Sequence, residues 1–68
     1  MGRVKAVLYR FADCECRNIA GGLDPIPAGI YPVAELDVVS VAVGPNKLDL
    51  DKTAFDLLKA EGKVTNLL

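Results

Sequence analysis

Apolar positions recur with period two over most of the chain and with a helical period once, near its C-terminal end. In RVKAVLYRF (3–11), Val4, Ala6 and Leu8 fall on one face and Lys5, Val7, Tyr9 and Phe11 on the other. β-Branched and aromatic residues in alternation predict a strand with one dry face and one mixed face. IYPVAELDVVSVAVG (30–44) has strand character again. Pro32 has no N–H for a ladder, which places it at a strand start, an edge or a bulge. Leu36-Asp37 reads as a tight turn or kink between two short strands. In VVSVAV (38–43), Val39, Val41 and Val43 share one face, and Val38, Ser40 and Ala42 share the other. Both faces are largely apolar, so this strand is expected to be buried on both sides or to lie in an interface.

GPNK (44–47) is a turn signal and LDL (48–50) a short extended piece. Asp51 then suits a helix N-cap, because its carboxylate can accept from free N–H groups of the first turn. KTAFDLLKAE (52–61) carries Ala54, Phe55 and Leu58 as an inward stripe, with Leu57 beside it. Lys52 and Asp56 are an i,i+4 pair, and Gly62 fits the C′ position. KVTNLL (63–68) predicts a last strand. ADCECRNIAGGLDPIPAG (12–29), with two adjacent glycines and two prolines, reads as a long loop. The expected fold is therefore mostly β (α+β): one domain over 1–68, a small compact barrel or sheet with one short C-terminal helix. That helix is expected to bury Phe55, Leu58 and Ala54 against Val39, Val41 and Leu8.

Composition adds a surface argument. The 68 residues are 51% hydrophobic, while a chain of this length buries only about 60% of its unfolded surface. A shared apolar surface is expected, against a partner protein or a second copy. The net charge of −1 does not suggest a nucleic-acid or anionic-membrane partner. Residues 1–17 do carry Arg3, Lys5, Arg10 and Arg17 against Asp13 and Glu15, whereas 18–68 carry four lysines against seven acids. No apolar run approaches the roughly 18 residues of a membrane span. No signal peptide is read at the start, so the cytoplasm is the expected compartment.

Candidate chemistry is sparse. The chain has no histidine, so Ser/His/Asp and Cys/His arrangements are excluded and acid–base work would fall to carboxylates such as Asp37, Asp49 and Asp51. Gly21, Gly22 and Gly29 spell neither a phosphate loop nor a dinucleotide fingerprint. Tyr9, Phe11 and Tyr31 are the aromatic candidates for a binding face. The two cysteines stand at Cys14 and Cys16. In an extended strand their Cα atoms would lie about 7 Å apart, beyond ordinary disulfide reach. Two thiolates are half of a tetrahedral zinc shell, which only Glu15, another acid or a second subunit could finish. The default reading is a reduced pair with no resident metal or cofactor.

Residues 26–68 add a resemblance. IPAGIYPVAELD followed by VVSVAVGPNKLDLDKTAFDLLKAEGKVTNLL is similar to the second part of double-psi β-barrels of the rare-lipoprotein-A and expansin type. Pro27 and Gly29 match that family's P-x-G turn, and Leu36-Asp37 its strand end. Val39, Val41 and Val43 match its apolar strand, and Gly44-Pro45 the end of its D-R-G-P turn. Leu48-Asp49-Leu50-Asp51 match its I-D-L-S cap motif, and Ala54-Phe55 and Gly62 its helix. The resemblance implies a double-psi-like barrel. It does not bring the family's peptidoglycan-cleaving activity, because the turn acid and arginine fall on Ala42 and Val43. Of the family's functional residues only Asp49 is matched, and residues 1–25 depart from the usual opening.

The expectation that follows is a non-catalytic binding module. It would act through an apolar surface or strand edge, on a protein partner or on itself, as an adaptor or inhibitor of the kind phages make. Its candidate contact residues are Tyr9, Phe11, Tyr31, Val39, Val41 and Asp49. Two alternatives stay open. One is a degenerate saccharide- or peptidoglycan-binding barrel in which Asp49 would be the catalytic acid if any activity survives. The other is a metal or small-ligand site in the 12–29 loop around Cys14 and Cys16, completed by dimerisation.

Overall fold

A computed structural model describes residues 6–67, so Arg3, Val4 and Lys5 of the first predicted strand lie outside the described residues. The chain is mostly strand with one short helix. In order it forms β1 (Val7–Phe11), β2 (Cys14–Arg17), β3 (Leu23–Ile26), β4 (Gly29–Glu35), β5 (Val38–Val43), β6 (Asn46–Asp51), α1 (Lys52–Ala60) and β7 (Val64–Asn66). Among the described residues, five strands form an open antiparallel sheet in the order β6-β5-β4-β1-β7, and β2 pairs with β3 in a separate ribbon.

The expected loop over 12–29 is the main correction. It is a hairpin, continuous in register with the strands that flank it. Phe11 faces Gly29 before the bend, and Cys14 faces Ile26 three residues further along each strand. β1-β2 and β3-β4 are thus the two arms of one long hairpin, bent at Ala12-Asp13 and Pro27-Ala28. At the bend the Ala12 N–H leaves the hairpin and donates to the Lys63 carbonyl at 2.8 Å. The tip is organised by Asn18, whose Oδ1 accepts from the backbone N–H groups of Ala20 (2.9 Å) and Gly22 (3.0 Å). Asparagine bonding its own turn is a strong local stop for a strand. The tip then reaches β6: Asn18 bridges to Leu50, and the Ile19 N–H donates to the Asp49 carbonyl at 3.1 Å. That contact covers the Asp49-Leu50 end of the β6 edge.

Most of the C-terminal half follows the pattern. β5 and β6 are joined by Gly44-Pro45, with Val43 facing Asn46 across the turn. Gly44 has φ +61°, the conformation that the first central position of this two-residue turn requires. Leu36-Asp37 is the turn before β5, where the Leu36 N–H donates to the Val38 carbonyl at 3.2 Å. Gly62 sits past the helix with φ +80°, as a C′ residue should. Asp51 occupies the N-cap, but its side chain makes no cap hydrogen bond. Pro32 is inside β4 opposite Leu8, yet β5 pairs only with Val33–Glu35. The proline therefore lies beyond the last pair on the β5 side, a local edge.

The core lies between the inner face of the sheet, α1 and the folded-back hairpin. It contains Tyr9, Phe11, Cys16, Ile26, Val33, Val39, Val41, Leu50, Phe55, Leu58 and Val64. Phe55 is completely buried, its ring centroid 5.6 Å from that of Tyr9 and 6.1 Å from that of Phe11. Two expectations are corrected here. Leu8 does not meet the helix; it faces outward and is 52% exposed. Nor is β5 buried on both sides, for Val39 and Val41 are covered while Ala42 opposite them is exposed and Val38 and Ser40 are half-buried.

Candidate functional site

Four of the six candidate contact residues are used inside the molecule. Tyr9, Phe11, Val39 and Val41 are at most 5% exposed, so their side chains form the core and not a contact surface. Tyr31 is half-buried; its ring packs on Phe11 at 5.5 Å and its hydroxyl donates to the Pro27 carbonyl at 2.7 Å. Asp49 is exposed on the opposite side of the sheet, where its Oδ1 accepts from Ser40 Oγ at 3.3 Å. The six residues therefore do not form one site.

The densest polar arrangement is one the sequence did not disclose. Tyr9 Oη donates to Glu35 Oε1 at 2.6 Å, while Lys59 Nζ (3.1 Å) and Lys52 Nζ (3.3 Å) donate to Glu35 Oε2. Lys52 and Lys59 also meet Asp56, at 2.9 and 3.6 Å, which closes a ring of alternating charges over the end of the sheet. Lys59 Nζ also lies 5.2 Å from the centre of the Phe55 ring, within cation–π range. Desolvation alone would raise the Glu35 carboxyl; hydrogen bonds from Tyr9, Lys59 and Lys52 outweigh it and hold the pKa below the usual value. The hydrogen bond to Glu35, then burial, raises the Tyr9 hydroxyl. Asp56 raises Lys52, and Lys52 lowers Asp56. Each group is moved away from neutrality, the direction of a structural ion ring and not of an acid–base pair working near pH 7. The Lys52/Asp56 spacing is the only part of the ring visible in sequence. Glu35 and Tyr9 enter through the β1–β4 pairing, which no local pattern announces.

The cysteines lie on the hairpin. Cys16 is buried in the core, and Cys14 is half-buried in a cleft of about 320 Å³ between β2-β3 and α1. Leu23 and Leu57 stand on the lips of this cleft, and Ala54 and Leu58 line it. Both thiols are free. Burial raises each of them, Cys16 to about 11, so neither is a ready thiolate at neutral pH. Among the described residues no group of three or more His, Cys, Asp or Glu side chains is placed to hold a metal ion.

The outer face of the sheet has a different character. β1, β4 and β5 present Leu8, Ile30, Pro32, Ala34, Val38 and Ala42 to the outside, with Leu8 and Ile30 each about half exposed. No described element packs over them. Arg10, Lys47 and Asp49 border this apolar field, and none of the three makes an ion pair among the described residues. The sheet's edges, by contrast, are poor docking sites. β7 is three residues long, and the hairpin tip contacts β6 at Asp49 and Leu50; in the separate ribbon β3 carries Pro25. Among the described residues no helix is long and apolar enough to cross a membrane. Comparison with protein-family models, curated proteins and solved structures gives no match to this chain.

Proposed function

We propose that this protein is a non-catalytic binding module, an adaptor or inhibitor that engages a protein through the outer face of its sheet. The observation that carries the reading is the ordered apolar field centred on Leu8, Ile30 and Pro32. An antiparallel sheet with one solvated face ordinarily shows polar residues there. Here most of the outward positions of three adjacent strands are apolar, Arg10 and Ser40 excepted, and apolar surface grouped in this way marks an interaction site. The blunted edges favour the face over strand addition. The outward shifts of the ion ring and of both thiols favour binding over catalysis.

Side-chain footprinting tests the reading. Hydroxyl-radical labelling of Leu8, Ile30 and Pro32 in the isolated protein is compared with labelling of the protein recovered with whatever it binds in its native cell. Protection of these three residues is expected, together with loss of the bound species from a folded Leu8→Asp/Ile30→Asp variant. Equal labelling in both states, or unchanged recovery by the variant, would defeat it.

A further inference from the structure

We propose that the partner of the outer face is a second copy of the same chain, stacked sheet to sheet about a two-fold axis perpendicular to the strands. This rests on the binding-module reading above and names its partner. The face is complementary to itself, row against row. One row across the sheet is Leu8, Pro32, Ala42 and Lys47: Leu8 pairs with Pro32, and Ala42 pairs with Lys47. Ala42 directly follows Val41, the partner of Val33, so it falls into line with Pro32. The next row, two residues along each strand, is Ala6, Ala34, Ser40 and Asp49. Ala34 pairs with Ser40, and Ser40 with Asp49. Ala6 directly precedes Val7, the partner of Val33, and so lines up with Ala34.

Turning a second copy end for end about an axis between these rows lays the first row on the second, twice by symmetry. Leu8 then meets Ala6, Pro32 meets Ala34, Ala42 meets Ser40, and Lys47 meets Asp49. Each bulky apolar group faces a small one and the cation faces the anion, as an isologous interface requires. Within the chain Lys47 has no ion pair among the described residues, and Asp49 has only the long bond from Ser40, so both charges are free for this use. Two sheets can stack in this way with their strands aligned to within about 30°.

The size of the face sets the strength. With strands about 4.8 Å apart and rows about 6.8 Å apart, the two full rows together with Arg10, Ile30 and Val38 beyond them span roughly 360 Å² on each copy. Two such faces bury about 700 Å², below the roughly 1,000 Å² of a standard specific interface and in the range of weak, transient association. The dimer is accordingly weak, with a Kd on the order of 10–100 µM.

The test is sedimentation equilibrium of the full chain from about 10 µM to about 1 mM, a range that brackets this Kd. The wild type is expected to pass from monomer to dimer and to stop there. Lys47→Glu sets two carboxylates against each other at both symmetric contacts, and Asp49→Lys sets two ammonium groups against each other there. Each variant alone should therefore dimerise about 10-fold or more weakly. Mixed one to one, the two variants restore both opposite-charge contacts and should form a heterodimer. Lys47→Glu mixed with Asp13→Lys, which has the same net charge as the Asp49 variant but carries its change on the hairpin bend, should not. Thermal melts at low concentration confirm that each variant is folded. A wild type monomeric throughout overturns the proposal. Failure of the mixed pair to associate also overturns it. Either result leaves the binding-module reading standing, since that reading falls by the footprint on Leu8, Ile30 and Pro32 or by the recovery of the Leu8→Asp/Ile30→Asp variant.

Discussion

The strands of this sheet send alternate side chains to two faces that are both apolar and yet have opposite fates. Tyr9, Phe11, Val33, Val39, Val41 and Leu50 point inward and are at most 5% exposed. Their neighbours Leu8, Ile30, Pro32 and Ala42 point outward and remain accessible to solvent. The difference is one of cover more than of composition. α1 and the bent β2-β3 hairpin close over the inner face, while no described element reaches the outer one. A period of two sorts residues into two sets; it cannot say which set is buried when both are hydrophobic. The inner set carries the stability, and the outer set is left for association.

The sharpest way to break this contrast is to empty the inner face. Phe55→Ala removes a fully buried ring from between Tyr9 and Phe11 and is expected to cost about 3–5 kcal/mol. That is close to the whole stability of a small domain, about 5 kcal/mol. The variant should keep no more than about 2 kcal/mol of stability and unfold at far lower urea than the wild type, as followed by circular dichroism. Leu57→Ala on the same helix, at a residue 58% exposed, should shift stability by no more than about 0.5 kcal/mol. Similar midpoints for these two variants would remove the distinction between the faces.

A second test uses pH on the inner face. Cys16 is raised from 9.0 to about 11, chiefly by burial. A pKa raised in the folded state favours the protonated form there. Its stabilisation is complete below pH 9 and is lost as the pH rises through 11, by about 2–3 kcal/mol for a shift of this size. Tyr9 and Lys52, whose values are also raised, act in the same direction. Unfolding free energy should therefore fall between pH 9 and 11, and Cys16→Ala should fall less steeply over that interval. Equal slopes would show that the thiol is not held in the core.

Glu35 tests the boundary of the inner face. Glu35→Gln keeps the shape of the side chain but leaves Lys52 and Lys59 without their shared carboxylate, at a cost of about 1–2 kcal/mol. The Glu35 carboxyl is held below its usual value, so its contribution is present above about pH 4.5 and disappears as the pH falls through the folded-state pKa. The melting temperature of the wild type should drop on acidification, and that of Glu35→Gln should drop less over the same range. The smallest effect belongs to the outer face. Leu8→Lys should leave the melting temperature of the dilute protein nearly unchanged, within about 0.5 kcal/mol. A large loss at this position would mean that the outer face is packed within the monomer.

The parts legible in sequence are those with local causes. The β4–β5 turn at Leu36-Asp37, the Gly44 turn, the extent of α1 and the Gly62 stop each follow from a few adjacent residues, and all are present. The 12–29 segment misleads because its glycines and prolines are turn signals wherever they stand. The asparagine that closes the tip, Asn18, is followed by Ile19-Ala20-Gly21-Gly22, a pattern shared by many loops. The candidate site is less legible still. Tyr9, Phe11, Val39 and Val41 stand out because they are large and apolar, which is also why they are buried. The outer rows are built of alanines, a proline and single charges, and they acquire meaning only when placed side by side.

Alternation, cap and turn chemistry and a 51% apolar content are enough to determine a small mostly-β domain with one C-terminal helix and more apolar surface than it can hide. These are properties of neighbouring residues, written at short range along the chain. Only the tertiary structure decided which apolar face is covered, that the hairpin folds back to β6, and that Glu35 meets two lysines from the helix. Each of those outcomes depends on pairings between residues far apart in the chain, such as Leu8 with Pro32 and Asn18 with Leu50. Such pairings are selected by the packing of the whole core, and no local window contains them.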